Sequence, residues 1–136
     1  MPVTLHPQLS NDCYLLGKVS SSTLLLHKNA LVPWFILVPD TDKNELFKLS
    51  NEHQQSVTEE ISLIARFVEQ HFKTDKINIA TIGNIVPQLH VHIIGRHTDD
   101  FCWPNPVWGQ STSKPYSLDE VQSIQKMLQE AKIILE

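Results

Sequence analysis

The sequence predicts an α+β fold in which about five antiparallel strands form a sheet with a long middle helix and a C-terminal helix. Three observations lead to this prediction. Short apolar stretches separated by turn-forming residues come first, a helical period of apolar residues follows, and a strict polar and apolar alternation comes later. Because 136 residues are the length of one ordinary domain, we expect residues 1–136 to form a single domain.

Three strands are predicted at the start, over residues 13–19, 23–27 and 34–38. Each stretch is short and rich in leucine, valine, isoleucine or aromatic residues. Serines 20–22 separate the first two strands, and Lys28 and Asn29 separate the second from the third. Because short connections join antiparallel neighbours, we expect these strands to form a meander.

An amphipathic helix is predicted for residues 50–72, where apolar side chains recur at spacings of three and four. A short helical turn over residues 45–49 is expected to precede it. The stripe consists of Val57, Ile61, Ile64, Val68 and Phe72.

Two more strands are predicted after the helix, over residues 76–82 and from about residue 87 to residue 95. Gly83 and Asn84 lie between them and form a turn signal. We therefore expect the two strands to pair as a hairpin.

The C-terminal part changes character after this hairpin. Residues 99–109 contain three aromatic residues, two prolines and a glycine without a period, which predicts an ordered loop. Ser117 and Glu120 then match a capping box, and the apolar stripe behind them reaches Ile134 or Leu135. Residues 110–136 are therefore expected to be a C-terminal helical extension.

The composition excludes several classes of protein. A net charge of −4 argues against a surface that binds a nucleic acid polymer, although a small anionic ligand can still bind to local amides. Cys13 and Cys102 form no disulfide or zinc pattern. We expect a cytoplasmic protein, because the N-terminus has no signal pattern and no apolar run has the length that a membrane span needs.

The most informative segment is Gln88-Leu89-His90-Val91-His92, which continues the alternation through residues 93 and 94. A strand would place Gln88, His90 and His92 on one face and the apolar residues on the other. The rise per residue puts the two imidazoles about 7 Å apart along the strand. Two imidazoles at this spacing can act on one phosphate or on one metal ion.

Phosphorus chemistry is one use of such a pair. A neutral imidazole nitrogen can attack a phosphorus atom if the other ring nitrogen keeps its proton, which a backbone carbonyl can hold in place. A second histidine can bind phosphoryl oxygens or assist the leaving group. Backbone amides of the turn Gly83-Asn84-Ile85 can receive the negative charge.

Residues 88–94 resemble the signature of the histidine triad family, in which three histidines alternate with apolar residues. The flanking sequence is similar as well. Pro33-Trp34-Phe35-Ile36-Leu37-Val38-Pro39 resembles a strand of that family, and Gly83-Asn84 lies where the family usually has Gly-Gln. The resemblance covers about residues 13–109.

The resemblance implies a nucleotide hydrolase or nucleotidyl transferase similar to the diadenosine polyphosphate hydrolases. Such an enzyme acts at the α-phosphate of a dinucleoside polyphosphate or nucleoside phosphoramidate, without a metal or other cofactor. His90 would be the nucleophile and His92 would contact the phosphate or the leaving group. Asn84 would contact the phosphate, and Asn29 is a candidate for the ribose hydroxyls. Family members are typically homodimers, so a homodimer is expected.

Three positions depart from the family pattern. Gln88 replaces the first histidine, whose backbone carbonyl orients the nucleophile, and a glutamine keeps that carbonyl. Trp34 replaces a histidine that faces the site in one branch of the family. Ile85 replaces a serine or threonine whose hydroxyl meets the phosphate. We expect activity to survive, with an altered substrate preference and rate.

Two alternatives stay open at this point. The protein is either an enzyme of this type or a nucleotide-binding module without turnover. A metal site at the two histidines ranks lower, because no third ligand has a recognisable spacing. The remaining histidines are expected to lie on the surface: His6, His27, His53, His71 and His97.

Overall fold

The computed structural model describes residues 3–135. Its core is a five-stranded antiparallel sheet with the strand order β1-β2-β3-β5-β4. This architecture confirms the predicted α+β class. The elements are α1 (Pro7–Asp12), β1 (Cys13–Val19), β2 (Ser22–His27), β3 (Trp34–Val38), a 3₁₀ turn (Leu46–Lys48), α2 (Asn51–Phe72), β4 (Lys76–Ala80), β5 (Val91–Arg96) and α3 (Leu118–Glu130).

Successive side chains of β5 point to opposite faces of the sheet and belong to two separate cores. Val91 and Ile93 point to the main core, where α2 and α3 cover one face of the sheet. Ile94 points to a second, smaller core on the opposite face, which also contains Leu9 and Val107. The period of two in the sequence therefore decides which side chains face the helices and which face the second layer.

Close packing of α2 on the sheet requires a glycine at position 95. A Cβ atom there would lie 2.6 Å from Thr74 Cγ2 and 2.8 Å from both Pro33 Cγ and Val68 Cγ1. Each of these distances is shorter than a van der Waals contact. Gly95 thus allows the helix and the β2–β3 connection to approach the fifth strand.

The predicted hairpin forms, but its two strands are shorter and the connection between them is longer than predicted. β4 ends at Ala80 and not at residue 82, and β5 begins at Val91 and not near residue 87. Residues 81–90 form a ten-residue connection in place of a tight turn. The cause is packing, because Val86 is buried in the second core and Leu89 in the main core. The chain has to leave the ladder to place these two side chains in different layers.

Other elements also differ from the predictions. Helix α1 was not predicted, although His6 caps it and Pro7 occupies its first position. Strand β2 begins at Ser22. Helix α3 ends at Glu130, because Lys132 adopts a φ of 58° and turns the chain back so that Ile133 and Ile134 are buried in the main core.

Within residues 3–135, none of the helices has the length and apolarity that a membrane crossing needs.

Candidate functional site

A cavity of about 370 Å³ lies on the face of the sheet opposite α2. Its walls are built by α1, by residues of β1, β2 and β3, by the 81–90 connection with β5, and by the aromatic loop at residues 99–109. The lining residues are Gln8, Leu9, Asp12, Cys13, His27, Trp34, Ile36, Ile82, Gly83, Asn84, Ile85, Val86, His90, His92, Trp108 and Gly109.

His90 is held by the backbone two residues earlier. Its Nδ1 lies 2.7 Å from the carbonyl oxygen of Gln88, and the side chain is only 7% exposed. A carbonyl oxygen only accepts hydrogen bonds, so Nδ1 of His90 carries the proton and donates it. In the neutral ring, Nε2 then keeps its lone pair. His90 therefore has the protonation pattern of a nitrogen nucleophile.

His92 has the opposite tautomer. Trp34 donates its indole N–H to Nδ1 of His92 over 2.9 Å. An indole nitrogen only donates, so Nδ1 of His92 is an acceptor and its proton is on Nε2. The rings of His90 and His92 are 5.0 Å apart and inclined at 65°. One histidine therefore offers a lone pair at Nε2 and its neighbour offers an N–H at Nε2.

His92 stays uncharged in this environment. Burial, together with the smaller effects of the neighbouring His90 and His27, lowers the pKa of His92 to about 3. The indole of Trp34 adds no negative charge that would favour an imidazolium. At neutral pH, His92 is therefore a hydrogen-bond donor without a second proton to release.

His27 belongs to this site, which corrects the prediction that it lies on the surface. It is half-buried, lines the cavity and stacks on Trp34 with 4.0 Å between ring centroids and an angle of 12°. Burial lowers the pKa of His27, and Asp12 opposes this shift. No local sequence pattern indicates this position, which follows from the strand register: pairing of Leu26 with Phe35 places residue 27 next to Trp34 on the neighbouring strand.

Trp108 covers the histidine pair from the aromatic loop. Its ring meets Trp34 edge-on at 6.0 Å and His92 at 5.1 Å. Arg96 sets the start of this loop, because its buried guanidinium donates to Asp100 at 2.7 and 3.1 Å. The same carboxylate accepts backbone N–H groups of residues 97, 102 and 103 and turns the chain toward the cavity.

Among the other predicted residues, Gly83, Asn84 and Ile85 line the cavity. Asn29 does not. Its Oδ1 accepts the backbone N–H groups of residues 31 and 114, and its amide donates to the carbonyl of residue 112. The side chain of Gln88 also turns away and binds the N-terminal segment. The structure therefore joins Trp34, the two histidines and residues 83–85, and it places the side chains of Asn29 and Gln88 elsewhere.

The charge of the cavity is low. Within residues 3–135, its lining includes one carboxylate, Asp12, and no lysine or arginine. Across the same part of the chain, no group of three or more histidine, cysteine, aspartate or glutamate side chains is arranged to hold a metal ion. Anion binding in this cavity would depend on imidazole and backbone N–H groups.

Fold and site together define a small α+β protein whose functional face carries two buried histidines in opposite tautomers. The HIT domain family matches residues 8–99, which is more than half of the chain. No curated protein is significantly similar to the chain. The chain belongs to the HIT domain family.

Several solved structures have the same fold over nearly the whole chain. A histidine triad protein from Bradyrhizobium japonicum is 40% identical, with a TM-score of 0.90 and coverage of 96% of this chain and 98% of its own. A histidine triad protein from Marinobacter aquaeolei is 37% identical, with a TM-score of 0.90 and coverage of 96% of both chains. A hypothetical histidine triad nucleotide-binding protein from Sulfolobus tokodaii is 16% identical, covers 88% of this chain and 83% of its own with a TM-score of 0.66, and shares the fold.

Replacing Trp34 with phenylalanine tests the hydrogen bond that fixes His92. The variant leaves a buried imidazole nitrogen without its donor, so we expect the free energy of unfolding to fall by about 1–3 kcal/mol. Urea denaturation measures the change. Trp103→Phe, at a partly exposed indole, is the matched control and is expected to lose less. A Trp34→Phe protein as stable as the wild type would contradict the assigned bond.

The low pKa of His92 predicts a loss of stability in acid. The pKa is about 3 in the folded protein and near 6.5 in the unfolded chain, so unfolding takes up a proton between these values. The contribution of neutral His92 to the free energy of unfolding is fully present above pH 6.5 and is lost as the pH falls toward 3.

We therefore expect His92→Gln to flatten the decline of the unfolding free energy in that window. Urea titrations at a series of pH values measure the slope, with His71→Gln on the exposed side of α2 for comparison. An unchanged slope in His92→Gln would show that this histidine is not held neutral.

Proposed function

We propose that the protein is a nucleotide hydrolase or nucleotidyl transferase that acts at the α-phosphate of a nucleoside phosphate derivative through a nucleotidyl-His90 intermediate. HIT domain proteins are, as a class, nucleotide-binding proteins and usually hydrolases or transferases. The observation that carries the proposal is the 2.7 Å contact between His90 Nδ1 and the carbonyl of Gln88. It directs the lone pair of a neutral imidazole to Nε2.

In the first step, Nε2 of His90 attacks the α-phosphorus. A P–N bond forms, the bond from phosphorus to the leaving group breaks, and the leaving group departs with the bonding electron pair and takes a proton from solvent. The imidazole gains positive charge, which the hydrogen bond from Nδ1 to the Gln88 carbonyl stabilises. In the second step, water or another acceptor attacks phosphorus and releases a proton to solvent, a P–O bond forms, the P–N bond breaks with its electron pair returning to Nε2, and His90 returns to its neutral state.

His92 has a different task in this mechanism. Its pKa near 3 leaves no second proton to transfer at neutral pH. We therefore assign to its Nε2–H a hydrogen bond to a phosphoryl oxygen, which strengthens as negative charge develops. Backbone amides of residues 83–85 would share this charge.

The charge of the cavity distinguishes between two classes of substrate, the dinucleoside polyphosphates and the nucleoside phosphoramidates. A dinucleoside polyphosphate brings several negative charges, and no lysine or arginine lines the cavity to balance them. A nucleoside phosphoramidate brings one charge, which imidazole and amide donors can stabilise. We propose a nucleoside phosphoramidate as the preferred substrate. The apolar wall, which includes Trp34 and Trp108, would receive its nucleoside.

One observation favours the alternative of a nucleotide-binding module without turnover. Ile85, which replaces the family's serine or threonine, lines the cavity and is 77% exposed. It offers no hydroxyl to a phosphate. Only a turnover measurement separates the two functions.

Incubation with adenosine 5′-phosphoramidate provides that measurement. We expect release of AMP, loss of about 1,000-fold or more in kcat/KM for His90→Ala, and no effect of a chelator. His71→Ala, far from the cavity on the surface of α2, is the matched control. Binding of nucleotide without turnover would favour the module, and activity that a chelator abolishes would favour a metal site at the two histidines.

We also propose a homodimer that forms along β4. This strand is one edge of the sheet, and Ile79 on it is 50% exposed with Ile82 close by at 41%. An exposed edge strand with apolar side chains is a template for pairing with a second copy.

As further proposals, the partner is a small nucleotide, not a nucleic acid polymer or a membrane. The free cysteines Cys13 and Cys102 favour the cytoplasm.

Light scattering tests the dimer directly. We expect the wild type to have the mass of two chains at micromolar concentration, and Ile79→Lys to have the mass of one, because a charge on the edge strand opposes pairing. Leu15→Lys is the matched control, since Leu15 is 63% exposed on β1, at the opposite edge. A wild-type monomer, or a dimer broken by Leu15→Lys alone, would contradict the proposal.

A further inference from the structure

The side chain of Gln88 holds the N-terminal segment. Its Oε1 accepts the backbone N–H of His6 at 2.7 Å, and its Nε2 donates to the carbonyl of Thr4 at 3.1 Å. We name residues 3–12 the N-terminal strap. The same glutamine therefore contacts two different partners, because its backbone carbonyl binds His90 and its side chain binds the strap.

The strap forms one wall of the cavity. Gln8, Leu9 and Asp12 line it from this side. The strap contains only α1, whose six residues are far fewer than an isolated helix needs for stability in water. Its position must therefore depend on contacts with the rest of the protein.

Among the contacts that hold the strap, three are spread along its length. At its start, Val3 donates its backbone N–H to Asp40 Oδ1 at 2.8 Å. In its middle, Gln88 makes the two bonds described above. Near its end, Leu9 is buried in the second core at 5% exposure. The two hydrogen bonds of Gln88 lie between the other two contacts and hold the backbone immediately before α1.

A glutamine suits this task for a chemical reason. Its amide places a donor and an acceptor side by side in one plane, so it can bond an N–H and a carbonyl of the same extended segment as a neighbouring strand would. The two nitrogens of an imidazole diverge and cannot bond both groups of one segment in this way. The residue that the family resemblance aligns with a histidine thus gains a contact that histidine does not provide.

We propose that the Gln88 side chain is a positioning residue for the strap, and that the strap determines how tightly the nucleoside part of the substrate binds. This inference rests on the proposed function. The carboxylate of Asp12 is the single formal negative charge on the cavity lining within residues 3–135, so it repels a phosphate and accepts hydrogen bonds from hydroxyl groups. The strap therefore meets the hydroxyl-bearing part of the substrate, and the phosphate lies at the histidines.

The experiment compares Gln88→Ala with Asp40→Ala, which loosens the strap at a residue that does not line the cavity. Both variants keep a backbone carbonyl at position 88 for His90. Gln125→Ala is the matched control, because Gln125 also donates its amide to a distant backbone carbonyl, that of Leu16, but joins α3 to β1. The measurements are KM and kcat for adenosine 5′-phosphoramidate, the Kd for AMP, and hydrogen exchange at the His6 amide.

We expect Gln88→Ala to raise KM and the Kd for AMP by about ten-fold, more than it lowers kcat, and to speed exchange at the His6 amide. Asp40→Ala is expected to change KM and Kd in the same direction, and Gln125→Ala to leave both unchanged. Faster exchange in Gln88→Ala without a change in KM or Kd would overturn the proposal. A fall in kcat without a rise in KM would also overturn it, because the side chain would then act through His90.

The wild type separates this proposal from the proposed function. A wild-type protein that binds AMP without turnover would contradict the enzyme, and the strap would still be judged by the Kd values of the variants. A wild type that neither binds AMP nor turns over the phosphoramidate would overturn both. Turnover in the wild type together with unaltered KM and Kd in Gln88→Ala would overturn the strap alone.

Discussion

Two hydrogen bonds determine which ring nitrogen carries the proton in His90 and in His92, because one partner can only accept and the other can only donate. The Gln88 carbonyl can only accept, and it takes the proton of His90 Nδ1; the Trp34 indole can only donate, and it occupies Nδ1 of His92. Both histidines thus face the cavity with defined and opposite capacities at Nε2. The proposed division of labour between nucleophile and oxyanion donor depends on these two bonds.

The sheet positions both partners. Trp34 at the start of β3 lies beside β5, because Trp34 pairs with Ile94 and residue 36 pairs with His92. The Gln88 carbonyl reaches His90 because residues 81–90 leave the ladder and bury Val86 and Leu89 in opposite layers. Close packing of α2 at residue 95 keeps β5 in place from the other side. The chemistry of the site is therefore a consequence of how β5 and its preceding segment are packed.

Burial then determines the electrostatics of the site. Burial, with smaller effects of His90 and His27, lowers the pKa of His92 to about 3, so the pair does not become two repelling cations at neutral pH. The lining contributes no lysine or arginine within the described residues. Charge on a bound phosphate would have to be met by hydrogen bonds with fixed geometry, which favours a substrate of low charge.

Much of this arrangement could be predicted from local sequence patterns. The alternation of Val91, His92 and Ile93 identified the strand and its two faces. Distant contacts were not accessible in the same way. His27 joins the site only through the β2–β3 register, helix α1 is too short to show a period, and the side chain of Gln88 depends on residues more than 80 positions away. Local patterns carry no information about such pairings.

The tautomers themselves provide the most direct test. In ¹⁵N-labelled protein at neutral pH, long-range correlations between ring protons and ring nitrogens distinguish the two neutral tautomers from the cation. We expect His90 to carry its proton on Nδ1 and His92 to carry its proton on Nε2. The same tautomer at both histidines, or a protonated cationic ring at His92, would contradict this account.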